Sequence, residues 1–172
     1  MREIRDVLIV GAGTMGHGFA QIFAENQFSV WLVDENEDLL KRARGWIEDN
    51  LNYMVELGEI GLERVQPTLS HIQFTTDLKQ AASKADYVLE AINENLDLKK
   101  KLFQQLGDWT QPQVVLATNT SSFDINELSV VTAHPERVIG THWFHPPQIT
   151  PCVEVIPSNS TSAETVEIAT NL

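Results

Sequence analysis

The sequence predicts an α/β fold in which a mostly parallel β-sheet is flanked by helices on both faces. Short runs of Val, Ile and Leu alternate with longer amphipathic stretches, as strands alternate with crossover helices in doubly wound sheets. The first run, residues 4–10, is rich in Val, Ile and Leu and ends directly at a glycine turn. Such a run is typical of a strand that is buried on both faces of a parallel sheet.

A βαβ unit accounts for the first 34 residues. Met15, Phe19 and Ile22 lie at positions i, i+4 and i+7, which places them on one face of a helix. Asn26 is a plausible end for that helix. Apolar residues then alternate over positions 28–33, and this second strand ends at Asp34.

The same alternation continues to the end of the chain. A long charged helix is predicted over residues 37–57, and Pro67 is placed in the linker after it. Asp97 is predicted to cap a helix that ends at Gly107. The remaining strands are predicted at 71–74, 87–90, 114–117, 137–143 and 152–156, and the remaining helices at 77–82, 125–129 and 162–172.

Composition limits the classes of function. A chain of 172 residues with 42% hydrophobic residues fits one globular domain, 1–172, that needs no disulfide or metal to hold its core, and we assign no metal ligands. The net charge of −12 disfavours binding to nucleic acid or to an anionic membrane surface. No apolar run approaches the roughly 18 residues of a membrane helix. The single cysteine, Cys152, favours a reducing compartment, and we expect the cytoplasm.

The glycine turn predicts a dinucleotide site of the Rossmann type. It has the pattern GxGxxG, follows a strand, opens a helix and precedes Asp34 by about twenty residues. The helix N-terminus would bind the pyrophosphate, and Asp34 would accept hydrogen bonds from ribose hydroxyls while repelling a 2′-phosphate. This favours NAD over NADP, although FAD uses the same turn and a purely structural turn is the alternative. The predicted cofactor residues are Gly11, Ala12, Gly13, Thr14, Met15, Gly16 and Asp34.

A second constellation pairs a histidine with a glutamate. His142 and Glu154 each lie six residues from Gln148, so a hairpin around the proline-rich bend would place them opposite each other. A carboxylate on one ring nitrogen fixes the tautomer and makes the other nitrogen a better base. Because Val153 and Val155 flank Glu154, we expect a buried glutamate that needs a partner. From spacing alone, a solvated histidine and a surface glutamate fit equally well.

Several motifs in order resemble the NAD-binding domain of the 3-hydroxyacyl-CoA dehydrogenase family. They are the glycine turn, the segment Glu-Ala-Ile-Asn-Glu-Asn-Leu at 90–96, Asn-Thr-Ser-Ser at 119–122, and the two segments around His142 and Glu154. The resemblance implies that His142 is the catalytic base and that Glu154 orients it. It also implies that Ser121 hydrogen-bonds the substrate oxygen and that the cofactor side includes Glu94, Lys99 and His145.

The resemblance carries further implications for the whole protein. It implies an NAD-dependent oxidoreductase that interconverts a (3S)-3-hydroxyacyl-CoA and its 3-oxoacyl-CoA in fatty-acid β-oxidation or butyrate-type metabolism. Family members continue into a C-terminal helical domain that closes over the substrate and forms a homodimer. The final predicted helix is still running at Leu172, so we expect this chain to end at a domain boundary and to be inactive alone.

Two departures from the family leave the substrate open. The family usually has Asn where this chain has His145, and its short-chain acyl-CoA members carry lysines where this chain has Met-Val-Glu-Leu-Gly-Glu at 54–59. An acidic stretch is a poor binding site for the phosphates of CoA. The alternatives are an NAD-dependent dehydrogenase of a small non-CoA hydroxy acid, of the L-gulonate or carnitine type, and a non-catalytic NAD-binding module. An intact His142–Glu154 pair disfavours the last of these.

Overall fold

A computed structural model describes residues 3–172 and confirms the predicted α/β class. Within these residues seven strands form one sheet in the order β3-β2-β1-β4-β5-β6-β7. Neighbours from β3 to β6 are parallel, and β7 pairs antiparallel with β6. The strands are β1 (Asp6–Val10), β2 (Ser29–Val33), β3 (Ile72–Thr75), β4 (Tyr87–Glu90), β5 (Val115–Thr118), β6 (Val138–Trp143) and β7 (Val153–Pro157).

Helices connect the strands, and side chains cap several of their N-termini. The helices are α1 (Gly16–Glu25), α2 (Glu37–Glu56), α3 (Val65–Ser70), α4 (Leu78–Ala82), α5 (Leu96–Trp109), α6 (Ile125–Ser129) and α7 (Ala163–Asn171). Asn36 caps α2 by accepting hydrogen bonds from two backbone N–H groups, and Ser162 caps α7. Across residues 3–172 no helix combines the length and the apolar character that a membrane span requires.

Strand β1 is buried on both faces, as its composition predicts. Leu8 and Ile9 are both 0% exposed and belong to two separate hydrophobic clusters on opposite faces of the sheet. Phe19 of α1 and Ile47 of α2 pack on the Ile9 face, and Phe103 of α5 packs on the Leu8 face. Burial of each such side chain contributes about 1.5–3 kcal/mol. The two clusters fix the sheet between the helical layers.

Three local predictions are wrong. Pro67 lies inside helix α3 rather than in a linker, because its missing N–H falls within the first turn, where the backbone donors have no partner in the helix. Helix α5 is capped by Asn95, whose side chain accepts from the backbone N–H of Leu98 at 3.0 Å, and not by Asp97. The same helix runs past Gly107 to Trp109.

The strand order creates a crevice beside β1. Strand β2 lies on one side of β1, and strand β4 lies on the other side. The connections that leave β1 and β4 therefore run in opposite directions along the sheet. Ligands of open α/β sheets bind at such a switch point, beyond the carboxyl ends of the strands. The glycine turn after β1, Asp34 after β2 and the segments after β4 and β5 all lie at this edge.

Candidate active site

The glycine turn after β1 requires glycine at two positions. Gly11 has φ +103°, and a Cβ added there would lie 2.6 Å from the carbonyl oxygen of Ala91. A Cβ added to Gly16 would lie 1.7 Å from the carbonyl oxygen of Gly11, so α1 can pack against the turn only without a side chain. By contrast, a Cβ at Gly13 would meet no atom of residues 3–172 within 4 Å. The turn therefore has an open side at Gly13, as expected for a backbone that approaches a ligand.

Asp34 is held in place by the backbone on both of its carboxylate oxygens. Oδ2 accepts from the N–H of Ala12 at 2.9 Å, and Oδ1 accepts from the N–H of Asn36 at 3.0 Å. Each oxygen keeps a free lone pair, because a carboxylate oxygen can accept two hydrogen bonds. The side chain thus offers two acceptors in a fixed position, which suits the two hydroxyls of a ribose.

A cavity of about 570 Å³ opens between Asp34 and helix α5. Its polar lining includes Asp34, Asn93 and Lys101. The apolar lining comes from Val10, Val33, Leu39, Leu78, Ile92, Leu98 and Leu102. An apolar slot for a base, a fixed carboxylate for a ribose and the open face of Gly13 for a pyrophosphate together fit the adenosine half of a dinucleotide.

The predicted pairing of His142 with Glu154 is confirmed. The two residues are direct partners in the β6–β7 register, and the Nδ1 of His142 lies 2.8 Å from the Oε2 of Glu154. An ionised carboxylate only accepts hydrogen bonds, so Nδ1 carries the proton and Nε2 of the neutral ring has a free lone pair. Contrary to expectation, Glu154 is not buried: its side chain is 58% exposed, against 21% for His142. Side chains alternate between the faces of a strand, so Glu154 points away from the hydrophobic core against which Val155 packs.

Hydrogen bonds join the carboxyl ends of β4, β5 and β6 around the histidine. The side-chain oxygen of Asn119 accepts from the N–H of Trp143 at 2.8 Å, and the N–H of Asn119 donates to the carbonyl of Glu90 at 2.9 Å. Ser121 follows in the same loop after β5 and is exposed. The loop that carries Ser121 and the strand that carries His142 are therefore fixed to each other through Asn119.

A charge cluster of Glu90, Glu94 and Lys99 lies beneath this loop. The sequence analysis did not identify Glu90 as a site residue. Glu90 is 0% exposed and binds Lys99 at 2.5 Å, and Lys99 also pairs with Glu94 at 3.2 Å. The signal was a glutamate at the end of an otherwise apolar strand, with a lysine nine residues later. Partial burial raises the pKa of Glu94, but hydrogen bonds from Thr120 and Ser122 and the charge of Lys99 bring it below its ordinary value.

A family model described as 3-hydroxyacyl-CoA dehydrogenase, NAD binding domain, matches residues 6–172. The chain belongs to this family. The assignment confirms the resemblance and the choice of NAD as cofactor.

Relatives of the dehydrogenase family agree with the assignment. The chain is 39% identical to 3-hydroxyadipyl-CoA dehydrogenase of Escherichia coli over 97% of its own length and 35% of that protein. It is 40% identical to a probable 3-hydroxybutyryl-CoA dehydrogenase of Deinococcus radiodurans, over 94% of its own length and 58% of that protein. The crystal structure of 3-hydroxybutyryl-CoA dehydrogenase from E. coli K12 superposes with a TM-score of 0.95 at 38% identity, covering 98% of this chain and 35% of that one. The chain thus spans between a third and three fifths of these relatives.

Another histidine, His17, lies at the glycine turn. The Nδ1 of His17 lies 2.8 Å from the carbonyl oxygen of Gly13, and its ring packs against Trp46 with 5.1 Å between centroids. Burial lowers the pKa of His17, the hydrogen bond to Gly13 raises it, and the nearby charge of His145 lowers it, with a net decrease. Sequence reasoning missed His17, although it directly follows the last glycine of the motif. His145, which the resemblance places on the cofactor side, is exposed.

Proposed function

We propose that the protein is an NAD-dependent dehydrogenase that interconverts a (3S)-3-hydroxyacyl-CoA and its 3-oxoacyl-CoA. The observation that carries the proposal is the 2.8 Å hydrogen bond between His142 and Glu154 at the ligand-binding edge of the sheet. The relatives named above act, by their names, on 3-hydroxyadipyl-CoA and 3-hydroxybutyryl-CoA. We place the reaction in fatty-acid β-oxidation or butyrate-type metabolism on the strength of that similarity.

The chemistry assigned to the chain is a proton transfer with an oriented base. NAD supplies the hydride acceptor when it is bound. His142 takes the hydroxyl proton of the substrate on Nε2, the nitrogen that the hydrogen bond to Glu154 leaves free. Glu154 stabilises the imidazolium that forms. Ser121, exposed in the loop after β5, donates a hydrogen bond to the substrate oxygen. No nucleophile is needed, because the substrate's own hydroxyl gives up the proton.

A binding module without catalysis is the less favoured reading. Such a module needs the glycine turn and Asp34, but it has no use for a histidine held by a carboxylate. The bonds that join Asn119 to Trp143 and to Glu90 would also be unnecessary for binding NAD alone, since they fix the base relative to the Ser121 loop.

A small hydroxy acid without CoA is a second candidate substrate, and the surface of α2 favours it. Residues 45–63 contain no lysine or arginine and carry five acidic side chains, Glu48, Asp49, Glu56, Glu59 and Glu63. Tyr53 on this helix and Leu57 directly after it are 60% and 59% exposed, so the surface is apolar and negative. The phosphates of CoA would be repelled there.

Substrate specificity separates the two candidates. The full-length gene product would be assayed by NADH consumption with acetoacetyl-CoA, and by NAD⁺ reduction with L-gulonate and with carnitine. We expect turnover with the CoA ester and little with the free acids. Turnover confined to a free acid would favour the small hydroxy acid as substrate. Binding of NADH without turnover of any of the three substrates would favour the non-catalytic binding module.

The proposal extends to assembly and setting. We infer a homodimer for the full-length protein and a cytoplasmic location, in keeping with the free and exposed thiol of Cys152. Sedimentation of the full-length protein at micromolar concentration tests the first inference, and a monomer would contradict it.

A further inference from the structure

The bend between β6 and β7, residues 144–152, packs against the first turn of helix α1. A Cβ added to Gly18 would lie 2.6 Å from the Cγ of Pro147 and 2.8 Å from the Oε1 of Gln148. Carbon atoms in contact lie about 3.5–4.0 Å apart, so the bend can rest on the helix at this distance only if position 18 carries no side chain. Gly18 therefore allows an approach that no other amino acid allows.

A second contact joins the same helix to the strand that carries the histidine. The ring of Trp143 lies 5.5 Å from that of Phe19 and 6.3 Å from that of Phe23, measured between centroids. Phe19 and Phe23 are 0% and 3% exposed, so α1 is fixed in the core on this side. Trp143 directly follows His142 in β6. Helix α1 thus contacts the hairpin both beside the histidine and at the bend.

Backbone hydrogen bonds hold the bend together as one piece. The carbonyl of Pro146 accepts from the N–H groups of Ile149 and Thr150, at 3.1 and 3.0 Å. The Oε1 of Gln148, beside Gly18, is buried and has no hydrogen-bond partner among residues 3–172. An unpaired buried acceptor costs stability, so polar attraction does not explain this contact. The shape of the helix surface holds the bend in place.

The N-terminus of α1 belongs to the cofactor turn, and the strand order places the bend on the reacting side of that turn. The cavity assigned to the adenosine half reaches from Asp34 to Thr76, beyond the ends of β2 and β3. A dinucleotide that crosses the open face of Gly13 continues toward β4, β5 and β6, the side on which the hairpin carries His142. Helix α1 therefore links the turn for the pyrophosphate to the residue that takes the proton.

We propose that Gly18 is a positioning residue that sets the distance between the cofactor turn and His142. Because position 18 has no side chain, the bend rests directly on α1, and the hairpin lies at the depth that this contact allows. The role of His142 rests on the proposed function, whereas the contact between Gly18 and Pro147 does not. A kinetic and a structural measurement therefore test the two parts separately.

Turnover of Gly18→Ala in the full-length protein is the kinetic test, with whichever of acetoacetyl-CoA, L-gulonate and carnitine the wild type turns over best. The buried face of α1 holds the helix, so the added Cβ should move the Pro147 ring by about 1 Å, and a misplacement of about 1 Å can cost 10²-fold in rate. We expect kcat to fall by about tenfold or more. The Kd for ADP-ribose, which lacks the nicotinamide and tests the turn and Asp34 alone, should stay within about threefold. Gly45→Ala is the matched control, because a Cβ there meets nothing within 4 Å in the part of the chain that the structure describes, and it should change neither value.

Removal of the opposing ring distinguishes positioning from a general loss of structure. Pro147→Ala deletes the Cγ and Cδ atoms that the new Cβ would meet at 2.6 and 3.3 Å. In Gly18→Ala/Pro147→Ala we expect kcat to return to within about threefold of Pro147→Ala alone. If Gly18→Ala does not fold, the double variant should fold, because the clash is absent from it. A double variant that stays as impaired as Gly18→Ala, or that does not fold, would overturn the proposal.

A crystal structure of full-length Gly18→Ala is the test without turnover. We expect Pro147 to lie about 1 Å farther from α1, with Phe19 and Phe23 in their wild-type positions. A bend that stays in its wild-type position, or a kcat of Gly18→Ala within about threefold of the wild-type value, would overturn the proposal. If the wild type turns over none of the three substrates while the bend moves as described, the proposed function fails and the contact at Gly18 is supported.

Discussion

Replacing Asp34 with Asn should weaken NADH binding and abolish the discrimination against NADPH. Each carboxylate oxygen of Asp34 already accepts one backbone N–H, at 2.9 and 3.0 Å, and has one lone pair left for a ribose hydroxyl. A hydrogen bond to a charged acceptor is roughly twice as strong as a neutral one, so loss of the charge costs about 1–1.5 kcal/mol for each ribose bond. Two bonds give about 2–3 kcal/mol, or a rise in the Kd for NADH of about 30- to 150-fold.

The same substitution removes the negative charge that repels a 2′-phosphate. The Kd for NADPH should therefore stay constant or fall, and the ratio of the two affinities should approach one. Isothermal titration calorimetry of the 172-residue chain with both cofactors measures this directly. Asp38→Asn is a matched control, because Asp38 is exposed on α2 and pairs with Lys41. A Kd for NADH within about threefold of wild type, with selectivity retained, would refute the assignment of Asp34 to the ribose.

Three further predictions concern the turn, the loop and the core. Gly13→Ala should leave the melting temperature almost unchanged, because an added Cβ meets no atom of residues 3–172 within 4 Å, but it should weaken NADH binding by about tenfold or more in fluorescence titrations. Equal affinity would exclude Gly13 from the pyrophosphate site. The pKa of Glu94 is lower in the folded protein than its ordinary value. Glu94 therefore stabilises the fold at pH values above its ordinary pKa, and this stabilisation is lost as the pH falls through the folded pKa. Urea unfolding of Glu94→Gln should therefore show a smaller loss of stability on acidification than wild type, and identical pH profiles would contradict the cluster. Buried Arg137 donates to the hydroxyl of Thr110 and to three backbone carbonyls. Arg137→Met should therefore lower the melting temperature by about 6–12 °C, corresponding to about 3 kcal/mol. A change no larger than that of Arg42→Met, on the α2 surface, would contradict this prediction.

Sequence pattern was most informative where local periodicity and topology agree. Strand β4 and helix α6 have the bounds that their apolar patterns predict, at 87–90 and 125–129. The register of the β6–β7 hairpin followed from equal spacing about Gln148, since an antiparallel pair fixes which residues face each other. Pattern was enough here because each feature depends on neighbouring residues alone.

Features that depend on distant contacts were missed or misplaced. The burial of Glu90 and Lys99 requires β4, β5 and α5 to meet, and nothing in the sequence near Glu90 shows that Thr118 lies opposite it. Glu154 was expected to be buried because two valines flank it, but neighbours in a strand point to opposite faces, and which face is covered depends on distant elements. Pro67 shows the related limit for local signals, since a proline within the first turn of a helix resembles one in a linker.

The central claim is that His142 is the base of a dehydrogenase, and kcat of His142→Gln in the full-length enzyme tests it most directly. We expect kcat to fall by about 10²- to 10⁴-fold while NADH affinity survives, and Glu154→Gln to lose much activity because the amide cannot stabilise the imidazolium. His134→Gln is a matched control, because His134 lies 3.1 Å from Glu136 in a similar pair outside the site and should keep full activity. Retention of more than about a tenth of wild-type kcat by His142→Gln would contradict the mechanism.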